Sequence, residues 1–317
     1  MSTPVVAVIG PTATGKSDLG LALAQRLGGE VVNADAMQLY RGMDIGTAKL
    51  TPAQRHGIAH HQLDVLDVSE DASVAAYQRD ARADVAAIAS RGHRPVVVGG
   101  SGLYVRALLD RMELAPVDPA VRAALELRAE QEGPGLLHDE LARQDPAAAG
   151  AIGRANTRRI VRALEVITIT GRPYTASLPE QVYLVPTVQI GLDCDRAALD
   201  ARIEVRVEHM WERGLVDEVR GLVATGPLGR TAARAVGYAE VIAMLRGELD
   251  ERTARELVAA GTRRLARKQM GWFGRDPRVH WLDAQDPGLL DRALAIVAAA
   301  DDGRLVDPGV RRRTLGS

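Results

Sequence analysis

The sequence predicts an α/β protein in which a parallel sheet, built from two chain segments, is covered by helices and interrupted by an inserted all-helical lobe. Three observations predict it. Short apolar, β-branched runs alternate with helical stretches over the first hundred residues, the pattern of a parallel sheet buried on both faces. A glycine loop follows the first run and opens the first helix. Between residues 113 and 185, helical stretches separated by Pro and Gly succeed one another with no convincing strand.

In chain order, residues 5–9 are the first strand candidate, and a helix follows over about 16–27. Residues 30–33 form a second short strand, 74–90 a helix rich in Ala, Arg and Asp, and 95–98 a third strand closed by Gly99 and Gly100. Residues 120–132, 136–145 and 157–170 read as helices, residues 185–192 resume a strand pattern, and only helices are expected after it. The core is thus assigned to 1–112 and 186–317, and the helical insertion to 113–185. The last ten or so residues, with Arg311, Arg312 and Arg313, read as a loose tail.

The 317 residues suffice for a sizeable core, and 46% hydrophobic with 26% charged is ordinary for a globular protein. With aromatics at 3% and one Phe, the core must rest on Val, Leu, Ile and Ala. A formal net charge of -1 means that any nucleic-acid surface must come from local segregation of charge. Cys194 is the single cysteine, which excludes an intrachain disulfide and fits a reducing compartment. No apolar run approaches the ~20 residues that span a bilayer, and the first residues read as a core strand rather than a signal peptide. The expected location is the cytoplasm, with no membrane partner and the chain acting as a monomer.

Gly10-Pro11-Thr12-Ala13-Thr14-Gly15-Lys16-Ser17 fits G-x-x-x-x-G-K-[ST] in the required place, after an apolar strand and opening a helix. The glycines let backbone N–H groups turn inward around phosphate oxygens, and the helix N-terminus adds its positive end. Lys16 supplies a charge, and the Ser17 hydroxyl can ligate Mg²⁺. This makes the core P-loop NTPase-like and its ligand a polyphosphate. It does not single out ATP, because a diphosphate ester offers the same oxygens.

The Asp that usually holds Mg²⁺ at a later strand end is not evident. Residues 95–98 run into Gly-Gly-Ser-Gly, while Asp193 and Asp195 lead into a basic helix. The second strand does end near an acid, Asp35. C-terminal strand ends converge beside the phosphate loop in such sheets, so Asp35 can be a general base for a nucleophile attacking there. It can equally be an N-cap or Mg²⁺-shell residue, and spacing alone does not decide.

The blocks GPTATGKS, NADAMQLYRGMDIGTAK, VVVGGSGLYVRAL, NTRRIVRALEV, ARIEVRVEHM, ARAVGYAE and RRLARKQMGWF resemble those of the tRNA dimethylallyltransferases, also called tRNA isopentenyltransferases, in the same order over nearly the whole chain. The resemblance implies transfer of a dimethylallyl group from dimethylallyl diphosphate to the exocyclic N6 of an adenosine 3′ of the tRNA anticodon, with release of diphosphate and with Mg²⁺ as cofactor. It places the diphosphate on Gly10 to Ser17, with Thr12 facing the substrate and Lys16 on the leaving group. It makes Asp35 the general base and Arg206 a further diphosphate contact. Without it, Arg202 and Arg206 would read as a solvated helix face.

The resemblance also implies tRNA contacts at Asp35, Ala36, Met37, Gln38, Ser101 and Arg122, at Arg158, Arg159, Ile160, Val161 and Arg162, and at Arg234, Gly237 and Tyr238. Basic residues do cluster, at Arg154 to Arg162 and at Arg263, Arg264, Arg267 and Lys268. Such stripes fit a phosphate backbone or a solvated helix face. Tyr238 and Trp272 could stack on a nucleotide or simply pack. His60, His61 and His138 have no zinc-ligand spacing. A nucleotide kinase would share the loop but needs an adenine pocket. A prenyltransferase acting on free AMP would not need the basic lobe, and a non-catalytic RNA-binding module would not need Lys16, Ser17 and Asp35.

Overall fold

A computed structural model of the chain describes residues 3–177, 181–306, 308–309 and 313–316. The chain forms two compact units, one of Met1–Leu109 with Tyr183–Ser317 and the other of Asp110–Val182. Among the described residues no helix is long and apolar enough to cross a membrane.

The first unit is built on a six-stranded parallel sheet. Strand β1 (Val5–Ile9) lies between β4 (Arg94–Gly99) and β5 (Thr187–Asp193), β2 (Gly29–Asn33) and the two-residue β3 (His60–His61) extend one side, and β6 (Val279–Asp283) closes the other. All five residues of β1 are buried. Val5, Ala7 and Ile9 pack with Tyr77 of helix α2 (Val74–Ser90) and Leu108 of α3 (Gly102–Leu109). Val6 and Val8 face the opposite way, against Leu23 of α1 (Lys16–Leu27) and Val297 of α12 (Leu289–Asp301). Because side chains alternate across a strand, burial on both faces requires the unbroken apolar run.

Strand β6 corrects the expectation of helices alone after residue 192. It is an edge strand whose middle residues, His280, Trp281 and Leu282, are only half-buried, so it carries no continuous apolar run. A third apolar cluster joins Tyr40 and Met43 to helices α8 (Arg196–Glu212), α9 (Leu215–Thr225), α10 (Tyr238–Leu245) and α11 (Glu251–Phe273). The tail expectation is corrected at residues 313–316: Arg313 N–H donates to the Gly274 carbonyl at 2.9 Å, and Gly316 N–H to Asp193 Oδ1 at 3.2 Å. Arg311 and Arg312 lie outside the described residues.

The second unit holds α4 (Pro119–Glu132), α5 (Pro134–Gln144), α6 (Pro146–Ala151) and α7 (Thr157–Thr170). Asp118, Asp145 and Asn156 cap α4, α6 and α7 with their side chains, satisfying N–H groups that have no partner inside the helix. Its core gathers Leu125, Leu137, Leu141, Ile160, Val161 and Leu164.

Candidate active site

The phosphate loop leaves β1 through Gly10 at φ +137°, where a Cβ would stand 2.5 Å from the Leu192 carbonyl oxygen, and enters α1 through Gly15 at φ +83°. Ala13 also takes a left-handed φ of +65°, a conformation costly for a residue with a Cβ. The loop is tied at three points. The Thr14 hydroxyl donates to the Pro11 carbonyl at 2.8 Å, the Lys16 ammonium donates to the same oxygen, and Thr12 N–H donates to Gln269 Oε1 of α11 at 2.8 Å. Burial pushes the Lys16 pKa down to about 8, against the raising effect of Asp35 and together with the lowering effect of Arg206. Those opposed influences place Lys16, Asp35 and Arg206 in one electrostatic neighbourhood.

Asp35 is held by its neighbours. The Asn33 side chain accepts from Asp35 N–H at 3.0 Å and donates to Asp35 C=O at 3.0 Å and to Gln62 C=O at 2.9 Å. Asp35 Oδ1 accepts from Met37 N–H at 3.0 Å, so this oxygen caps a local turn. No described residue donates a hydrogen bond to Oδ2. One carboxylate oxygen thus caps the turn while the other makes no hydrogen bond to a described residue.

Arg206, on α8, is not on a solvated face. Its Nε is buried without a hydrogen-bond partner, and burial pushes its pKa down while Asp35 raises it. A cavity of about 800 Å³ is lined by loop residues 12–17, Asp35, Gln38, Lys49, Arg202 and Arg206. Lys49 is fixed by Asp44 at 2.7 Å, Asp64 at 2.6 Å and the Tyr40 carbonyl at 2.8 Å. The Ser17 hydroxyl lines the cavity and bonds to no described residue, which suits a Mg²⁺ ligand. Among the described residues no group of three His, Cys, Asp or Glu could hold a metal. A Mg²⁺ held by Ser17 would draw further ligands from phosphate oxygens and water. Asp193 does not line the cavity. Its Oδ1 accepts from Cys194 N–H at 2.8 Å and from Gly316 N–H, while Asp195 caps α8 by accepting from Ala198 N–H.

The expected RNA contacts divide. Ala36, Met37 and Gln38 are half-buried, and Arg234, Arg158 and Arg159 are exposed. Ser101 accepts from Ala36 N–H at 3.0 Å, so it shapes the loop after Asp35. Ile160 and Val161 are 0% and 3% exposed in the core of the helical unit, which corrects their reading as contacts. Gly237 is buried, and Tyr238 is buried too, its hydroxyl donating to Glu218 Oε1 at 2.6 Å. Tyr238 thus packs rather than stacks.

Arg122 and Arg162 both donate to Glu165 Oε2, at 2.7 Å each, and Arg162 also reaches the Ala115 and Pro116 carbonyls. Burial alone would raise the Glu165 pKa; the two arginines overcome it and hold it below the usual carboxylate range. These two cations are already compensated. Trp272 remains exposed and sits where a Cβ on Gly102 would clash. His61 bonds Glu30 at 2.7 Å, and His138 lies against the Ala149 and Ile152 carbonyls.

Three further residues organise the site. Gln269 holds Thr12, Lys49 joins the cavity wall, and Glu218 accepts from the N–H groups of Asp44, Ile45 and Gly46, fixing the loop that carries Thr47 to Lys49. Only the quoted blocks DIGTAK and RKQM pointed toward the first two, and nothing marked Glu218.

Residues 38–276 match the IPP transferase family. A tRNA dimethylallyltransferase from Kineococcus radiotolerans is 61% identical over 310 residues, covering 94% of this chain and 98% of its own length. One from Thermobifida fusca is 56% identical, covering 95% and 96%. Among solved structures, the full-length tRNA isopentenylpyrophosphate transferase from Bacillus halodurans has a TM-score of 0.70 at 38% identity, covering 95% of this chain and 98% of that one. A eukaryotic dimethylallyltransferase acting on tRNA has a TM-score of 0.84 at 26% identity, covering 98% and 82%.

Proposed function

We propose that this chain, which belongs to the IPP transferase family, transfers the dimethylallyl group of dimethylallyl diphosphate to the exocyclic N6 of an adenosine 3′ of the tRNA anticodon, releasing diphosphate. The observation that carries the reading is the meeting of the phosphate loop, Asp35 and Arg206 at one cavity. A diphosphate seated on residues 10–17 has Lys16 and Arg206 beside it. Their positive charge counts most as the C–O bond breaks and negative charge collects on the leaving group. Asp35 stands beside that anion site with Oδ2 uncommitted, and it takes the N6 proton as nitrogen attacks the allylic carbon. Ser17 would hold a Mg²⁺ ion, which would supply further charge neutralisation on the phosphate oxygens.

Action on tRNA supports a cytoplasmic location. The test is to incubate the protein with labelled dimethylallyl diphosphate, Mg²⁺ and either tRNA or AMP. Label in tRNA alone is the expected result. Label in AMP, or none in either, would overturn the reading.

A further inference from the structure

Helix α8 carries charge on two faces that are treated differently. On one, Glu204 accepts from Arg263 of α11 at 3.0 Å and Glu208 accepts from Arg255 of the same helix. On the other stand Arg202, Arg206, His209 and Arg213, whose spacing keeps them on one side of the helix and its C-terminal cap. None of these four makes an ion pair or a side-chain hydrogen bond to a described residue. All four line a smaller cavity of about 260 Å³, walled by Ile45, Ala48, Val205 and Met210. It adjoins the larger cavity, sharing Ala48, Arg202, Arg206 and Arg213 with it.

A diphosphate on the phosphate loop takes up Lys16 and Arg206. Arg202, His209 and Arg213 are then left facing a cavity with no anion of the protein's own. Partly apolar walls raise the worth of any charge pair formed there, because they displace water. We infer that these three residues form a phosphate subsite separate from the phosphate loop, and that its ligand is a backbone phosphodiester of the acceptor RNA. The inference rests on the transfer reaction proposed above. An adenosine drawn out of its stack to reach Asp35 brings its flanking phosphates with it, and Arg206 links the base's electrostatic surroundings to this cavity. Neutralising that backbone charge offsets the cost of unstacking.

The experiment compares the parent protein with an Arg202→Gln/Arg213→Gln double variant, using a synthetic anticodon stem-loop RNA and, separately, inorganic diphosphate. RNA affinity should fall roughly ten- to hundredfold, the range for loss of charge-assisted bonds. The log–log salt dependence should flatten by about one unit. Affinity for inorganic diphosphate should stay at the parent value, and Arg202→Lys/Arg213→Lys should recover the salt slope. RNA with uncharged methylphosphonate linkages flanking the target adenosine should bind the parent as weakly as normal RNA binds the double variant, and should lose little more against that variant.

Parental RNA affinity and slope in the double variant would overturn the inference. So would weaker diphosphate binding with unchanged RNA binding, which would assign these arginines to the donor. Because binding is read without turnover, a parent protein that binds RNA with these contacts but transfers no label would refute the proposed reaction and leave the phosphate subsite standing.

Discussion

In the helical unit, Arg122 and Arg162 converge on the fully buried carboxylate of Glu165, whereas in the core unit Arg202 and Arg206 line a cavity with no carboxylate bonded to either. In sequence the two sets look alike, as basic residues on amphipathic helices. Their surroundings separate them. A paired, buried charge network holds a fold together, and removing one member leaves another unsatisfied. Unpaired cations along a cavity contribute little to the fold and are free to meet an anionic ligand. The contrast predicts that substitutions in the two regions fail in different assays.

Asp35 aside, the largest effect belongs to Lys16. Lys16→Ala should lower the transfer rate by about 10²–10³, as for loss of one preorganised charge-stabilising donor, and weaken diphosphate binding. The melting temperature should be unchanged or higher, because burial disfavours the charged ammonium. A fall in melting temperature with normal turnover would erase the contrast. Next in size is Glu165→Ala, which should cost roughly 1.5–3 kcal/mol of stability in chemical denaturation and leave diphosphate affinity unchanged. Since the folded-state pKa of Glu165 is lowered, this stabilisation is present at neutral pH and is lost as pH falls below the ordinary carboxylate range.

Within the helical unit itself the contrast can be sharpened. Arg158→Gln with Arg159→Gln removes two exposed cations and should flatten the salt dependence of tRNA binding by roughly 1.5 units, with melting unchanged. Arg162→Gln should do the reverse, lowering the melting temperature and leaving the salt slope near the parent's. The smallest effect is a pH dependence. A phosphate ligand needs Lys16 protonated, and its pKa is about 8. Diphosphate affinity should therefore decline as pH rises through that value, by at most about tenfold per unit. Lys16→Arg, which keeps its charge, should remove the inflection.

Much of this was legible in the sequence. The apolar runs of β1, β4 and β5 announced a sheet buried on both faces, and the motif at Gly10 to Ser17 announced the glycine turn that joins β1 to α1, because each is a local pattern. Strand β6 was not legible, since an edge strand with half-exposed His280 and Trp281 carries no such pattern. Gln269 and Glu218 were invisible for another reason: each acts on a segment more than 170 residues away in the chain, and no local spacing encodes that meeting. Ile160, Val161 and Tyr238 belonged to matching blocks, but position in a block does not reveal which side of a helix faces the core. The pairing of Arg122 and Arg162 was hidden because Glu165 reads like any helical glutamate until its burial is known.

Under the proposed function, the cavity where Lys16, Asp35 and Arg206 meet carries out prenyl transfer with Asp35 as the base. The most direct measurement is the single-turnover rate at which Asp35→Asn moves label from dimethylallyl diphosphate to tRNA, with binding of both substrates measured in parallel. The predicted result is a rate about 10²–10⁴ lower than the parent's with both substrates still bound. A rate close to the parent's would reduce Asp35 to the turn cap that its Oδ1 already forms with Met37, and would contradict the claim.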